Sequence, residues 1–340
     1  MVTLMERITV RIAEELGRAE VEAEAEREAK WHKFVEQTEP IEDKFKPVLR
    51  TAFTKQEKSV IAKLRRTPVP SIKATKTTPC IGDKVQYRNG IGTITDIFLA
   101  TDFIHRRLML EINTERNYST NVFLCDVVLL KGSDEAEAAS EIYVDAIYTA
   151  SAWQTVFETA ALPFVTEAYK LAGQEAFTEI GFQAAFNVTN PRARKYLEEK
   201  VVKFAEEVNE VTREKIRKAL VKGLDAGEGI PQISQRIADV FEINRGSRTD
   251  KIARTEIVGA SNNGTYHGYV ESEIVETHTW IDSRDERVRT TPHNHRLDGE
   301  EVKLGERFSN GLLHPHDPGG AAGNVINCRC TLAASELKET

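Results

Sequence analysis

Apolar side chains in this chain recur at every third or fourth position over most of its length and alternate over only one stretch. The first period is that of one face of an α-helix and the second that of a half-buried strand. Phe45, Leu49, Phe53, Val60 and Leu64 form one helical stripe. Ile142, Ala146, Trp153, Phe157, Ala160 and Phe164 form a second, and Leu197, Val201, Phe204, Val208, Val211, Ile216 and Leu220 a third. A chain patterned this way is mainly α-helical, and its stripes pack as core or inter-helix seams.

Local signals place the boundaries. Residues 3–37 read as one charged helix with few apolar groups before Trp31, Phe34 and Val35, suited to solvent or to docking on a partner. Pro40 is expected to break it, and Pro163 to kink a later one. Asn190-Pro191 is a cap followed by proline at the first helical position, and Gly227 and Gly229 mark a stop. Ile230-Pro231 opens a short helix through Phe241, and another begins near Ser247 or Thr249.

The alternating stretch runs from Ile81 to Leu130. Asp83 to Tyr87, Ile91 to Ile97, Arg107 to Ile112 and Val122 to Leu130 read as short strands, with Asn89-Gly90 as a hairpin turn. The spacing suggests a small SH3-like β-barrel inserted in the helical chain. It has no basic-aromatic stripe, so a structural or contact module is expected. The fold class is thus mainly α with a small inserted β-barrel and an α+β C-terminal lobe. The expected divisions are 1–66 for charged N-terminal helices, 67–80 for a Pro/Thr-rich linker, 81–132 for the barrel, 133–244 for a helical scaffold and 245–335 for the C-terminal domain.

Composition removes several classes. With 40 % hydrophobic and 29 % charged residues the chain is an ordinary folded one, not a disordered one. A net charge of −7 excludes binding driven by overall positive charge to nucleic acid. Arg245, Arg248, Lys251 and Arg254 form the one candidate basic face, read first as a solvated helix end. Cys80 and Cys125 read as buried thiols of a reducing compartment, because 4 cysteines make no disulfide framework here. Glu6, Arg7 and Arg11 interrupt any signal-peptide pattern, and Gln154, Glu158 and Pro163 interrupt the most apolar window, so no membrane partner is expected.

Six of the eight histidines and two of the four cysteines fall between His267 and Cys330. The same stretch holds Trp280, Asp282, Asp285, Arg287, Arg289, Leu297-Asp298-Gly299 and Cys328-Arg329-Cys330. These residue types bind transition metals or build buried polar networks. His293 or His295, His314 or His316, Cys328 and Cys330 would supply the four nitrogen and sulfur ligands that a structural zinc takes. The plainer reading has them hydrogen-bonded or packed in a loop-rich lobe. Arg254 and Glu256 lie two apart on one helix and face away from each other, so each needs a separate partner. A polar network of Arg254, Glu256, Asp282, Asp285, Arg287 and Asp298 is expected, with Arg254 on one of the aspartates.

The order of these pieces carries a resemblance. Ala253-Arg254-Thr255-Glu256 and Asn262-Asn263-Gly264 on a helix precede a strand from Thr277 to Asp282. The histidine pair, Leu297-Asp298-Gly299, Phe308 and Asn327-Cys328-Arg329-Cys330-Thr331 follow. This resembles the phage Mu F-like head morphogenesis family, minor capsid proteins that accompany the portal in tailed phages. The likeness is strongest over 245–333, extends to a helical lead-in over Asn190–Phe241, and does not include the barrel. The family's single histidine before Leu-Asp-Gly falls at Asn294 here, so His293 and His295 both stand as candidates.

The resemblance implies a minor head protein at the portal vertex of the virion, assembled in the bacterial cytoplasm, acting in procapsid assembly and in DNA packaging or ejection. Its partners would be portal, scaffold or major capsid protein and packaged DNA. The alternative is a metal-dependent HNH-like nuclease built on the His/Asp/Cys cluster, although no histidine follows Cys330 to complete such a site. Leu332 to Thr340 is too short for the toxin domains that such proteins carry beyond this segment. A generic multi-helix adaptor is the plainest option.

Overall fold

The computed structural model describes residues 4–67, 140–141 and 143–338, together with the strand backbones 84–87, 90–101, 106–114, 119–123 and 127–129. Cys80, Cys125 and positions 68–80 of the expected linker lie outside the described residues. The chain divides into two compact units. One takes residues 1–54, 151–208 and 243–340, the other 55–150 and 209–242.

Helix α1 runs over Leu4–Leu64. Five strands follow, β1 Lys84–Tyr87, β2 Gly90–Thr101, β3 Arg106–Thr114, β4 Ser119–Phe123 and β5 Val127–Leu129. Then come α2 Ala150–Glu179, α3 Pro191–Asp225, α4 Ile230–Ile243 and α5 Thr249–Ser272. The C-terminal lobe contributes β6 Val275–Ile281, β7 Glu301–Lys303, the single-turn α6 Ala322–Val325 and β8 Thr331–Leu337. The sequence expectation of a mainly helical chain holds.

The break expected at Pro40 does not occur, and Pro163, where a kink was expected, lies within a continuous helix. Pro40 and Pro47 lie inside α1, and Pro163 inside α2. A proline in a helix costs about 3 kcal/mol through a lost amide donor and a clash with the carbonyl four residues back. All three prolines are exposed, as are Glu36, Asp43 and Thr159, whose carbonyls lose the bond, so the missing bonds lie on the solvent side of each helix. On the opposite face Phe34, Ile41, Phe45, Leu49 and Phe53 of α1 and Phe157, Ala161 and Val165 of α2 are buried. Each large side chain contributes about 1.5–3 kcal/mol. Burial along the whole face outweighs the local penalty.

In the larger unit the core is aromatic. Phe45 stacks on Phe164 at 5.0 Å, and Phe157 meets Phe53 at 5.2 Å and Phe204 at 6.1 Å. Helix α5 is buried along nearly its whole length although it carries Glu256, Ser261, Asn262 and Asn263. Small residues let α2 approach it closely: a Cβ at Gly264 would overlap the Tyr169 carbonyl, and one at Gly268 would lie 2.9 Å from Ala176. Helix α3 begins where Asn190 caps it, its Oδ1 accepting the Ala193 amide at 2.7 Å.

The lobe is a three-stranded antiparallel sheet in the order β7-β6-β8. Its register pairs His278 with Val302 and Ala334, and Trp280 with Leu332. Beneath it Trp280, Leu297, Phe308, Leu312, Cys328 and Cys330 form one apolar cluster.

In the smaller unit the strands form one antiparallel sheet, β4-β3-β2-β1-β5. This sheet agrees with the expected short strands, while pairing between β4 and β5, which would close a barrel, is not among the described ladders. Gly90 pairs with Tyr87 and so opens β2 instead of sitting in the turn. The unit's helical part holds a buried triad in which Gln56 donates to the Tyr148 hydroxyl at 2.8 Å and Tyr148 donates to Asn209 Oδ1 at 2.7 Å.

Candidate metal centre in the C-terminal lobe

Chain direction brings the two cysteines together with one histidine. Leu297 is anchored in the apolar cluster, which turns the preceding loop inward and buries His295 to 1 % exposure. Asn327 adopts a left-handed φ of 60°, a conformation asparagine tolerates better than most residues. That turn swings Cys328 and Cys330 inward before β8 begins, and the thiols reach the same point. His295 Nδ1 lies 3.2 Å from Cys328 Sγ and 3.8 Å from Cys330 Sγ. The three ligand atoms all lie within 4.8 Å of one another. Both thiols are free and buried.

Neighbours hold the trio in place. The Cys330 amide donates to Cys328 Sγ at 3.4 Å, and His316 Nε2 donates to the Cys328 carbonyl at 3.0 Å. Asn262 of α5 donates to the Cys330 carbonyl at 2.9 Å, and Trp31 of α1 to the Arg329 carbonyl at 3.0 Å. Trp280 packs edge-on to His295 at 5.4 Å. Burial pushes the Cys328 thiol up, but hydrogen bonds with Cys330, His295 and His316 overcome that and place it well below the ordinary thiol range. Burial and the adjoining Cys328 push Cys330 well above that range.

The trio forms part of the wall of a cleft of about 110 Å³ that also carries Arg254, Arg287, Arg289 and Arg329. The guanidinium of Arg329, between the cysteines in sequence, donates to Asp285 Oδ1 at 2.6 Å. Arg289 donates to the Ile326 carbonyl.

The other candidate ligands go elsewhere. His293 is half-buried beside Gly323 and joins no ligand group with the thiols. Of the two histidines that flank Asn294, it is therefore His295 that meets the cysteines. His316 touches the pair through a backbone carbonyl, and His314 donates to the Pro315 carbonyl at 2.8 Å. His278 bonds the Leu313 carbonyl at 3.0 Å, and His267 bonds the Tyr169 hydroxyl at 2.7 Å. Of the residues behind the nuclease alternative, His295 meets Cys328 and Cys330, while His293 and Asp298 face other neighbours.

Of the six residues of the expected polar network, Asp282 and Asp298 are joined, the Asp282 amide donating to Asp298 Oδ1 at 3.4 Å, and Asp285 meets Arg287, while Arg254 and Glu256 take partners outside the six. Arg254 meets no aspartate: its Nε lies 3.6 Å from Glu42 and its Nη1 donates to Asn327 at 3.3 Å. The reason is direction, since α5 turns Arg254 toward α1 and the turn before Cys328. Glu256 pairs with Lys200 at 2.7 Å. Asp282 accepts the Arg284 amide at 2.7 Å, and Asp285 takes Arg329, with Arg287 Nε at 3.7 Å. Asp298 sits between Arg27 at 3.1 Å and Arg284 at 2.6 Å. The adjoining Gly299 has a φ of 84°, and a Cβ there would meet the Arg27 guanidinium at 3.3 Å.

Arg254 nevertheless helps to clamp α5 to the lobe, together with Thr255 and Asn262. Asn327 donates its amide to Thr255 Oγ1 at 2.9 Å, beside the Arg254–Asn327 and Asn262–Cys330 bonds. Glu42, Trp31 and Lys200 are further members that sequence reasoning missed. They lie far away in the chain, and a lone Glu or Trp on a helix carries no local sign of a distant partner. Of the candidate basic face, Arg248 is committed within the chain: it lies over the Phe53 ring at 5.6 Å and donates to the Val208 carbonyl at 3.1 Å.

Residues 214–333 match the family described as Phage Mu protein F like protein. This stretch is a Phage Mu F-like domain. The match spans the helical lead-in from Glu214, all of α4 and α5, and the lobe through the cysteine pair and Thr331. It bears out, over that stretch, the family read from the residue order, a family of structural phage head proteins. No curated protein and no solved structure matches the chain. No helix among the described residues is long and apolar enough to cross a membrane.

Proposed function

We propose that this chain is a minor head protein acting at the portal vertex during procapsid assembly, retained in the virion, with the exposed residues 17–26 of α1 in its docking limb. The Mu F-like match over residues 214–333 carries the reading. The limb is argued from exposure. From Arg27 onward α1 is held by its own unit: Arg27 pairs with Asp298, Lys30 with Glu179, and Trp31 with the Arg329 carbonyl. Residues 17–26 are all exposed, Val21 to 67 %. A charged helical end with an isolated apolar residue suits a protein surface better than bulk water.

Portal protein is the favoured partner, with scaffold and major capsid protein next, and a step in DNA packaging or ejection follows from that position. The test is co-purification with portal protein from the same phage, using the full chain and a chain lacking residues 1–22. Loss of portal binding at an unchanged melting temperature is expected. Unchanged binding would refute the docking limb, and absence of the full chain from purified procapsids and virions would refute the head-protein role.

A further inference from the structure

We infer that His295, Cys328 and Cys330 bind one zinc-class divalent cation, with the fourth coordination position opening onto the arginine-lined cleft. The inference rests on geometry and stands apart from the portal reading.

Zinc bound by thiolate at about 2.3 Å and by imidazole at about 2.0 Å in a tetrahedron sets its ligand atoms roughly 3.5–3.8 Å apart. The observed sulfur–nitrogen separations of 3.2 and 3.8 Å bracket that edge. Two sulfurs and one nitrogen suit zinc over magnesium or calcium, which take oxygen ligands. The ligands come from two loops that are brought together only by folding, so a cation there would staple the segment before Leu297 to the start of β8. The Cys330 amide directed at Cys328 Sγ, the His316 bond to the Cys328 carbonyl and the Asn262 bond to the Cys330 carbonyl orient the cysteines. Such outer contacts orient the ligands of metal sites.

The fourth position belongs to the cleft. Its lining includes all three ligand residues together with Arg254, Arg287, Arg289 and Arg329, and among the described residues no fourth His, Cys, Asp or Glu joins the ligand group. Water or a small anion fits there, the arginines favouring the anion.

The test uses the full-length chain, purified without a polyhistidine tag from zinc-supplemented medium. We expect about one zinc per chain by elemental analysis. Cobalt substitution should add intense thiolate-to-metal absorption in the near ultraviolet and visible bands typical of four-coordinate sites. Phosphate or thiocyanate should shift the visible bands if the fourth position opens onto the arginines. C328S and C330S should each weaken cobalt binding more than about 100-fold, while C80S and C125S leave it unchanged. As a variant can fail to fold, cation protection of two thiols against a thiol reagent is measured in the wild-type chain. Under a tenth of an equivalent of zinc with no cobalt spectrum overturns the inference, as does full binding retained in C328S and C330S. Visible bands indifferent to anions overturn the open fourth position.

Discussion

Trp31 of α1 donates its indole N–H to the carbonyl oxygen of Arg329 at 3.0 Å, across 298 positions of sequence. The acceptor lies between the two buried cysteines, so the long helix reaches the backbone of the candidate metal centre. Trp31→Phe keeps an aromatic side chain, smaller than the indole, and removes the donor. A loss of about 1 kcal/mol in urea unfolding is expected, together with faster reaction of Cys328 and Cys330 with a thiol reagent. Unchanged thiol reactivity would show that the bond does not support the centre.

Asp298 binds two arginines, one from α1 and one from its own loop. Its side chain is 19 % exposed, so screening is incomplete. Asp298→Asn is expected to cost about 1–2 kcal/mol, and the loss should shrink at high salt. A double-mutant cycle with Arg27→Ala should give a coupling energy of at least about 0.5 kcal/mol. Strict additivity would mean the pair is idle.

Two glycines in helices should respond in opposite directions. A Cβ at Gly264 would overlap the Tyr169 carbonyl, and backbone cannot step aside as a side chain can. Gly264→Ala should therefore destabilise by about 1–3 kcal/mol despite alanine's helix propensity. At Gly17 nothing lies within 4 Å of an added Cβ, so Gly17→Ala should raise the helicity of α1 without lowering the melting temperature. Circular dichroism and thermal melts check both.

Glu42 is 3 % exposed, and burial raises its carboxyl to about 7 against the opposing charges of Arg254 and Lys46. In the unfolded chain it titrates near the ordinary carboxylate value of 4.5. Between those values the folded state holds a proton that the unfolded state has released. The contribution is thus fully present below about pH 4.5 and lost as pH rises through 7, on the order of 3 kcal/mol in all. Glu42→Gln should flatten stability between pH 5 and pH 8.5 relative to the wild type, at constant ionic strength. Parallel pH profiles for the two chains would contradict this. Arg254→Ala should move the wild-type loss to higher pH, because the carboxylate's nearest cation is gone.

Local chemistry made much of the fold legible. Asn190 caps α3 as its side chain and the following proline predict, and α5 begins at Thr249 where a start was expected. Phe45, Leu49, Phe53, Val60 and Leu64 are all buried, as their helical spacing implies. Pro40 does not end α1 because a proline's cost is local, whereas the burial that outweighs it is collected along a whole face. The ligands His295, Cys328 and Cys330 were legible as a class of side chain. Their separation from His293 was not, because both flank Asn294 and only the anchoring of Leu297 decides which turns inward.

The sequence by itself determined the period of each element, the ends of several helices and the family to which residues 214–333 belong, since each is written in neighbours along the chain. Tertiary structure alone decided that Arg254 faces Glu42 and Asn327 instead of an aspartate, that Asp298 receives Arg27, and that one histidine joins two thiols in a buried triangle. Those pairings depend on the direction in which each side chain leaves its helix or loop once the elements pack. That direction is a property of three-dimensional contact, and spacing along the chain does not encode it.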